Sequence, residues 1–136
     1  MGDAMRFHIL ASGSKGNCCI IENKDTRLVI DCGTTQKYIK EQFKNQGIEF
    51  STLNACLLTH SHTDHISALK LFNEIPIYAE EKMNCINQTY IHEDESFQIN
   101  SITVETIRLS HDVKCLGFIL SDANTKLVYV TDTGYF

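Results

Sequence analysis

The segment Leu57-Leu58-Thr59-His60-Ser61-His62-Thr63-Asp64-His65 constrains this chain more than any other part of its sequence. A short apolar run, typical of a buried strand, leads directly into a cluster of metal-binding residue types. Because residues two apart in an extended chain point to the same side, His60 and His62 can hold one metal ion together. If the chain then turns into a helix, Asp64 and His65 point in another direction and can serve a second ion.

The residue types in this cluster indicate which metals it suits. Imidazole and carboxylate ligands suit zinc, manganese or iron, and the absence of cysteine from the cluster argues against a closed structural zinc site. The alternative is a polar loop that opens a helix, with Asp64 near the N-cap position. Three histidines and an aspartate at this spacing, directly after a buried strand, favour the metal site.

Three further polar residues follow predicted strands. His111 comes after the strand 102–109, Asp132 after 127–130, and Asp31 after 28–30. Taken alone, an aspartate at such a position is often a turn residue. Because the tips of neighbouring strands in one sheet converge, we expect these three residues to lie near the histidine cluster. The remaining histidines, His8 and His92, are interpreted as structural or solvated.

The hydrophobic pattern predicts a mixed α/β chain, built on a sheet with helices against one face. A helix begins near Thr35 and ends at Gly47, a residue suited to a C-terminal cap. Segments 66–72 and 80–86 are predicted to be further short helices. The strands at 18–22 and 28–30 should form an antiparallel hairpin, and 127–130 should be buried on both sides. Strands are predicted over 5–10, 18–22, 28–30, 55–58, 75–78, 97–99, 102–109, 116–120 and 127–130.

Composition narrows the class of protein. The 136 residues form one domain at most, with 43% hydrophobic and 21% charged residues and a net charge of −5. That charge counts against a surface built mainly to grip a phosphate backbone, although two divalent ions would offset it locally. The six cysteines form no C-x-x-C pair and lie mostly in apolar runs, which predicts reduced, buried thiols. With neither a signal-peptide pattern nor a membrane-spanning run, we expect a cytoplasmic protein.

These motifs together resemble the metallo-β-lactamase superfamily. Its first four motifs are similar, in order, to Asp31, the segment His60-Ser61-His62-Thr63-Asp64-His65, His111 and Asp132. The segment Ala11–Cys18, the Asp31-Cys32-Gly33 turn and Ser110-His111-Asp112 resemble its YycJ-type branch of nucleases, which is related to PhnP-type phosphodiesterases and tRNase Z. The similarity extends from Phe7 to Gly134.

The resemblance implies a role for each site residue. It places His60, His62 and His111 on one metal ion and Asp64 and His65 on the other, with Asp132 bridging the two. Asp31 would hold the histidine loop in shape by hydrogen bonds and bind no metal. The implied cofactors are two divalent ions, zinc first, with manganese or iron as alternatives.

It also implies a fold: the N-terminal half of an αββα sandwich. The family's last metal-binding histidine and a whole second half, which supplies the other sheet, would lie beyond Phe136. We therefore expect residues 1–136 to form one metallo-β-lactamase-like domain, truncated after the fourth motif. The uncovered sheet should then favour homo-oligomers.

The implied activity is hydrolysis by a metal-bridged hydroxide, with Asp64 and Asp132 as catalytic residues. A phosphodiesterase, in particular a DNA exonuclease, is the first hypothesis, with nucleic acid or a small phosphodiester as substrate and no membrane partner. A thioester or small-ester hydrolase of the glyoxalase II kind would use the same six ligands. A catalytically inactive half-domain is the third reading. A true β-lactamase fits less well, since those enzymes are secreted and usually carry cysteine where this chain has Asp132.

Overall fold

The computed structural model describes residues 4–12, 16–59, 68–83, 85, 87–110 and 115–130. Within these ranges the chain forms one α-helix, two short 3₁₀ helices and ten strands. The helix is α1 (Gln36–Gln46), and the 3₁₀ helices are Phe50–Thr52 and Leu69–Phe72. The strands are β1 (Arg6–Ala11), β2 (Cys18–Glu22), β3 (Arg27–Ile30), β4 (Ala55–Leu57), β5 (Ile77–Ala79), β6 (Gln88–Tyr90), β7 (Ser96–Ile99), β8 (Ile102–Ser110), β9 (Cys115–Ser121) and β10 (Lys126–Tyr129).

The first six strands form one mixed sheet in the order β1-β2-β3-β4-β5-β6. Strands β1, β2 and β3 are antiparallel, and β3 to β6 are parallel. The predicted β2–β3 hairpin is confirmed. Its turn is held by Asn23, whose side-chain oxygen accepts hydrogen bonds from the amides of Asp25 and Thr26, an Asx turn of the kind that favours asparagine there.

Helix α1 covers one face of this sheet, as the sequence predicts. The Thr35 hydroxyl accepts a hydrogen bond from the Tyr38 amide at 3.1 Å and caps the start of the helix. The helix ends at Gly47, whose φ of 68° is a left-handed conformation that glycine adopts without steric cost. Its buried side chains, Ile39 and Phe43, pack into an apolar core between helix and sheet.

The last four strands form a separate antiparallel sheet in the order β10-β9-β8-β7. It packs against the opposite face of the first sheet, because one apolar core contains Leu28 and Leu57 from the first sheet with Val104 and Phe118 from the second. The expectation that the other sheet of the sandwich lies beyond Phe136 is wrong, because residues 96–129 already form a second sheet of four strands. The described chain is therefore layered as helix, sheet and sheet.

The helix predicted over 80–86 is wrong for the described residues 80–83 and 85, which are not helical. The side chain of Gln88 satisfies this backbone instead, accepting from the Met83 amide at 2.8 Å and donating to the Glu81 carbonyl at 2.7 Å. Gln88 begins β6, a strand that the sequence analysis missed. Of the helix predicted over 66–72, the structure describes a 3₁₀ helix at Leu69–Phe72, and residues 66–67 lie outside the described part.

The expectation that residues 127–130 are buried on both sides is also wrong. Strand β10 is an edge strand on which exposed residues alternate with half-buried ones. Val128 and Val130 are 61% and 54% exposed, and across from them on β1 Phe7 and Ile9 are 56% and 61% exposed. These four side chains line an open groove of about 350 Å³ between the β1 edge of one sheet and the β10 edge of the other. We call it the β1–β10 groove.

Polar contacts between turns join the two sheets at one end of the sandwich. The side-chain amide of Asn23 donates to the Ser101 hydroxyl at 2.8 Å and to the Asp122 carboxylate at 2.9 Å. The Ser101 hydroxyl in turn donates to the Asp25 carboxylate at 2.6 Å. These residues belong to the β2–β3, β7–β8 and β9–β10 turns. This turn network lies at the opposite ends of β3, β8 and β10 from those that lead towards Asp31, His111 and Asp132.

Candidate metal centre

Of the seven predicted site residues, the structure describes one, Asp31. The other six lie outside the described residues: His60, His62, Asp64, His65, His111 and Asp132. Within the described ranges no group of three or more His, Cys, Asp or Glu side chains is arranged to hold a metal ion. What the structure shows of the predicted site is therefore Asp31 and the residues that precede the other six in the chain.

Asp31 directly follows β3 and has an unusual backbone. Its φ of 62° lies in the left-handed region, which aspartate adopts more readily than most residues. Its amide donates to the Leu57 carbonyl at 2.8 Å, so the pairing of β3 with β4 continues one residue beyond the strand. The side chain is completely buried. Backbone strain together with a buried carboxylate is a combination found at functional sites.

The Asp31 carboxylate is held by donors from two other segments. Its Oδ1 accepts from the Thr59 amide at 2.9 Å, and its Oδ2 lies 2.9 Å from the Thr59 hydroxyl. The Tyr129 hydroxyl lies 3.2 Å from the same Oδ2. A buried carboxylate is costly unless it accepts hydrogen bonds, and these donors meet that need. Since Thr59 immediately precedes His60, Asp31 fixes the residue from which the histidine motif starts.

The residues that lead into the other motifs meet at the same place. The Thr59 carbonyl accepts a hydrogen bond from the Leu116 amide at 2.8 Å, which joins the end of β4 to β9. The preceding residue of β9, Cys115, pairs with Ser110, the residue immediately before His111. Tyr129, which reaches Asp31, lies three residues before Asp132. Segments entering all three ligand motifs are thus brought together around Asp31 and Thr59.

Buried thiols line the helix side of this region. Cys18, Cys32 and Cys56 are completely buried in the core beneath α1. Burial raises the pKa of the Cys18 thiol, and a hydrogen bond with Cys32 together with burial raises that of Cys56. Both thiols therefore stay protonated at neutral pH, and a protonated buried thiol is a poor nucleophile. The sequence predicts buried cysteines, and five of the six are buried, whereas Cys85 is half-buried.

Arg108, two residues before the end of β8, is already neutralised. Its Nη1 donates to the Glu80 carboxylate at 2.9 Å, its Nη2 contacts the other oxygen, and its Nε lies 3.3 Å from Glu93. The side chain is only 13% exposed. These carboxylates raise the pKa of Arg108, with the Glu80 hydrogen bond as the main cause. This guanidinium therefore joins β8 to the segment after β5 and is not available to a substrate phosphate.

The two histidines outside the predicted ligand set agree with their interpretation. His8 Nε2 lies 3.1 Å from a carboxylate oxygen of Glu22. His92 is exposed. The residues that sequence reasoning missed are Thr59 and Tyr129, which carry the contacts to Asp31. Thr59 could have been recognised from its position in the sequence, between a buried strand and the first histidine. Nothing in the sequence indicates that Tyr129 contacts Asp31.

With this geometry established, comparison with known proteins decides the family. A family model described as a beta-lactamase superfamily domain matches residues 26–136, a range that contains every predicted site residue. The chain belongs to this superfamily. Among similar solved structures is the metallo-β-lactamase fold protein YhfI from Bacillus subtilis, 18% identical, with a TM-score of 0.79 over 100% of this chain and 65% of that one. A putative metallo-β-lactamase from Thermotoga maritima is 22% identical, with a TM-score of 0.74 over 93% of this chain and 77% of that one.

Two curated relatives are similar over nearly the whole chain. Exodeoxyribonuclease YycJ of Bacillus anthracis is 31% identical over 96% of this chain and 55% of its own length. Exodeoxyribonuclease WalJ of Streptococcus pneumoniae serotype 2 is 30% identical over the same shares. The chain thus has the metallo-β-lactamase fold and spans about half the length of the curated relatives it matches.

Proposed function

We propose that the chain carries the metal centre of a metal-dependent phosphodiesterase that removes nucleotides from DNA ends. The observation that carries this proposal is the buried Asp31 carboxylate bound to Thr59, around which the segments entering three ligand motifs meet. Two curated relatives at about 30% identity are named exodeoxyribonucleases, which supports DNA as the substrate.

The donor set fits a pair of divalent ions. Three imidazoles, from His60, His62 and His111, would hold one ion, and Asp64 and His65 would hold the other, with Asp132 shared. Zinc is the first expectation and manganese or iron the alternatives. When bound, such a pair lowers the pKa of a water molecule towards neutrality and polarises the phosphoryl oxygen of the substrate.

The protein itself would hold these ligands in position and keep other side chains from competing with them. Asp31 sets the start of the histidine motif through Thr59, and Asp64 would orient the attacking water. The buried thiols nearby stay neutral, and Arg108 is occupied by Glu80 and Glu93. Since the chain carries a net charge of −5, bound cations rather than a basic surface would attract the substrate phosphate.

The test compares substrates in the presence and absence of metal. The purified chain, stripped with a chelator and reloaded with zinc or manganese, is assayed on bis(p-nitrophenyl) phosphate, on end-labelled linear duplex DNA and on a thioester. We expect metal-dependent cleavage of the phosphodiesters and none of the thioester. His62→Ala should abolish turnover, and the matched His92→Ala, at an exposed histidine, should leave it unchanged.

The other outcomes separate the alternative functions. Thioester cleavage without phosphodiester cleavage would favour a hydrolase of the glyoxalase II kind. Stoichiometric metal binding without turnover on any substrate would favour an inactive half-domain, and no metal binding would overturn the proposal as a whole.

We propose the cytoplasm as the location. Six cysteines outside any disulfide, five of them buried, are typical of a reducing compartment. In the described ranges, no helix is long and apolar enough to cross a bilayer.

A further inference from the structure

Tyr129 makes a contact across the two sheets for which the predicted ligand set gives no reason. It is the last residue of β10, an edge strand of the second sheet, and its hydroxyl lies 3.2 Å from the Asp31 carboxylate, which follows β3 of the first sheet. The two residues are 98 positions apart in the chain. The contact therefore ties the strand that leads to Asp132 to the residue that holds the histidine motif.

The geometry of the described contacts to Asp31 shows what the Tyr129 hydroxyl adds. The Thr59 hydroxyl lies 3.1 Å from Oδ1 and 2.9 Å from Oδ2 of Asp31, yet it carries one proton and donates fully to one oxygen at a time. The Tyr129 hydroxyl is a donor to Oδ2 from the opposite sheet. With Oδ2 bound in this way, Oδ1 stays directed at the Thr59 amide. Tyr129 thus limits rotation of the carboxylate.

The same surroundings argue against a role for Tyr129 as an acid. Burial, followed by the nearby Asp31 charge, raises the pKa of the Tyr129 hydroxyl well above its usual value. The phenol therefore keeps its proton at neutral pH and shares it with a carboxylate. Such a group orients its neighbour and does not release a proton to a leaving group.

We infer that Tyr129 is a positioning residue of the metal centre, acting through Asp31 to fix the histidine motif relative to the strand that leads to Asp132. The inference rests on the proposed function, because it concerns the affinity of the metal site. Outer hydrogen bonds that orient ligands typically change metal affinity by about 10–100-fold. Tyr129→Phe removes one of the donors to Asp31, so we expect a loss of roughly tenfold.

The experiment is a double-mutant cycle on metal affinity. Zinc dissociation constants are measured by competition with a chromophoric chelator for the unmodified chain, Tyr129→Phe, Asp31→Asn and the double variant. If Tyr129 acts through Asp31, the double variant binds zinc no more weakly than Asp31→Asn alone. Tyr38→Phe is the matched control, since the Tyr38 hydroxyl also donates to an oxygen of another segment, the Leu10 carbonyl, at 3.0 Å. It should leave zinc affinity unchanged.

The outcomes distinguish the inference from the proposed function. If the unmodified chain binds no zinc, the proposed function fails. If it binds zinc and Tyr129→Phe binds equally well, or if the two single losses add in the double variant, the positioning role fails while the function stands. All affinities are measured at a temperature at which circular dichroism shows every variant to be folded, so a loss of stability cannot imitate the result.

Discussion

The Asp31 carboxylate accepts a hydrogen bond from the Thr59 amide at 2.9 Å, which joins the residue that follows β3 to the residue that precedes His60. A backbone amide cannot be moved by a rotamer change, so this contact fixes the path of the chain as it enters the histidine motif. An orienting role for Asp31 follows from this contact without any need for it to bind metal.

Replacing Asp31 should therefore weaken metal binding without removing a ligand. We expect Asp31→Asn to lower zinc affinity by roughly 10–100-fold, because the amide keeps one acceptor oxygen where donors now bind both oxygens of the carboxylate. Asp94→Asn is the control, since Asp94 has a similar φ of 60° but is exposed. Chelator competition measures both variants, and an Asp31→Asn chain with unchanged affinity would refute the role.

The two metal positions should differ in affinity. In the predicted ligand set, one position would be served by His60, His62 and His111 with Asp132. The other would be served by Asp64 and His65 with the shared Asp132. The first has the larger donor set, with three imidazoles, so we expect one tight and one weak site. Calorimetric titration of the chelated chain with zinc measures both steps. Two equally tight sites would contradict the prediction.

The β1–β10 groove should bring two copies of the chain together. Four exposed apolar side chains lie between β1 and β10, which are edge strands in the described part of the chain, an arrangement that favours edge pairing. We expect a concentration-dependent dimer by analytical ultracentrifugation, weakened at least about tenfold by Ile9→Lys or Val128→Lys, because each places a charge in the contact. Tyr90→Lys, at the other edge of the first sheet, is the control. A monomer at all concentrations would contradict this prediction.

Glu22 should make stability sensitive to acid. Burial opposes its ionisation, but hydrogen bonds from Arg27 and His8 outweigh burial and hold the pKa of this carboxyl below its ordinary value of 4.5. Because its pKa is lower in the folded chain, its contribution is complete above the ordinary pKa. That contribution is lost as the pH falls through the folded value.

Glu22→Gln should therefore lower the free energy of unfolding at pH 7 by roughly 1–2 kcal/mol, since hydrogen bonds to a charged group are lost or weakened. The difference from the unmodified chain should shrink as the pH falls below 4.5. Urea denaturation at several pH values measures both effects. Glu41→Gln, at an exposed position of α1, should show neither, and a pH-independent loss in Glu22→Gln would mean that the charge is not the cause.

Local signals in the sequence were sufficient for much of the fold. Thr35 and Gly47 mark the two ends of α1 because capping needs only neighbouring residues. The Asn23 turn defines the β2–β3 hairpin for the same reason. Where tertiary contacts determine the local conformation, the sequence predicted the structure less well. β6 is short and mostly polar, and Gln88 holds the preceding segment in a non-helical form through its side chain.

The same distinction between local signals and tertiary contacts applies to the candidate site. Asp31 is recognisable as a strand-end aspartate, but its left-handed backbone and its bond to Tyr129 depend on two sheets coming together. No periodicity reveals which sheet a strand joins, so residues 127–130 were expected to be buried when they form an exposed edge. The six predicted ligands outside the described residues stay predictions.

The turn network among Asn23, Ser101 and Asp122 ties the two sheets together at the end of the sandwich opposite Asp31. Contacts from Tyr129 to Asp31 and from Leu116 to Thr59 join the same sheets at the Asp31 end. The sandwich is therefore fastened at both ends. A substitution in the turn network should loosen one end and leave the segments that enter the ligand motifs joined at the other.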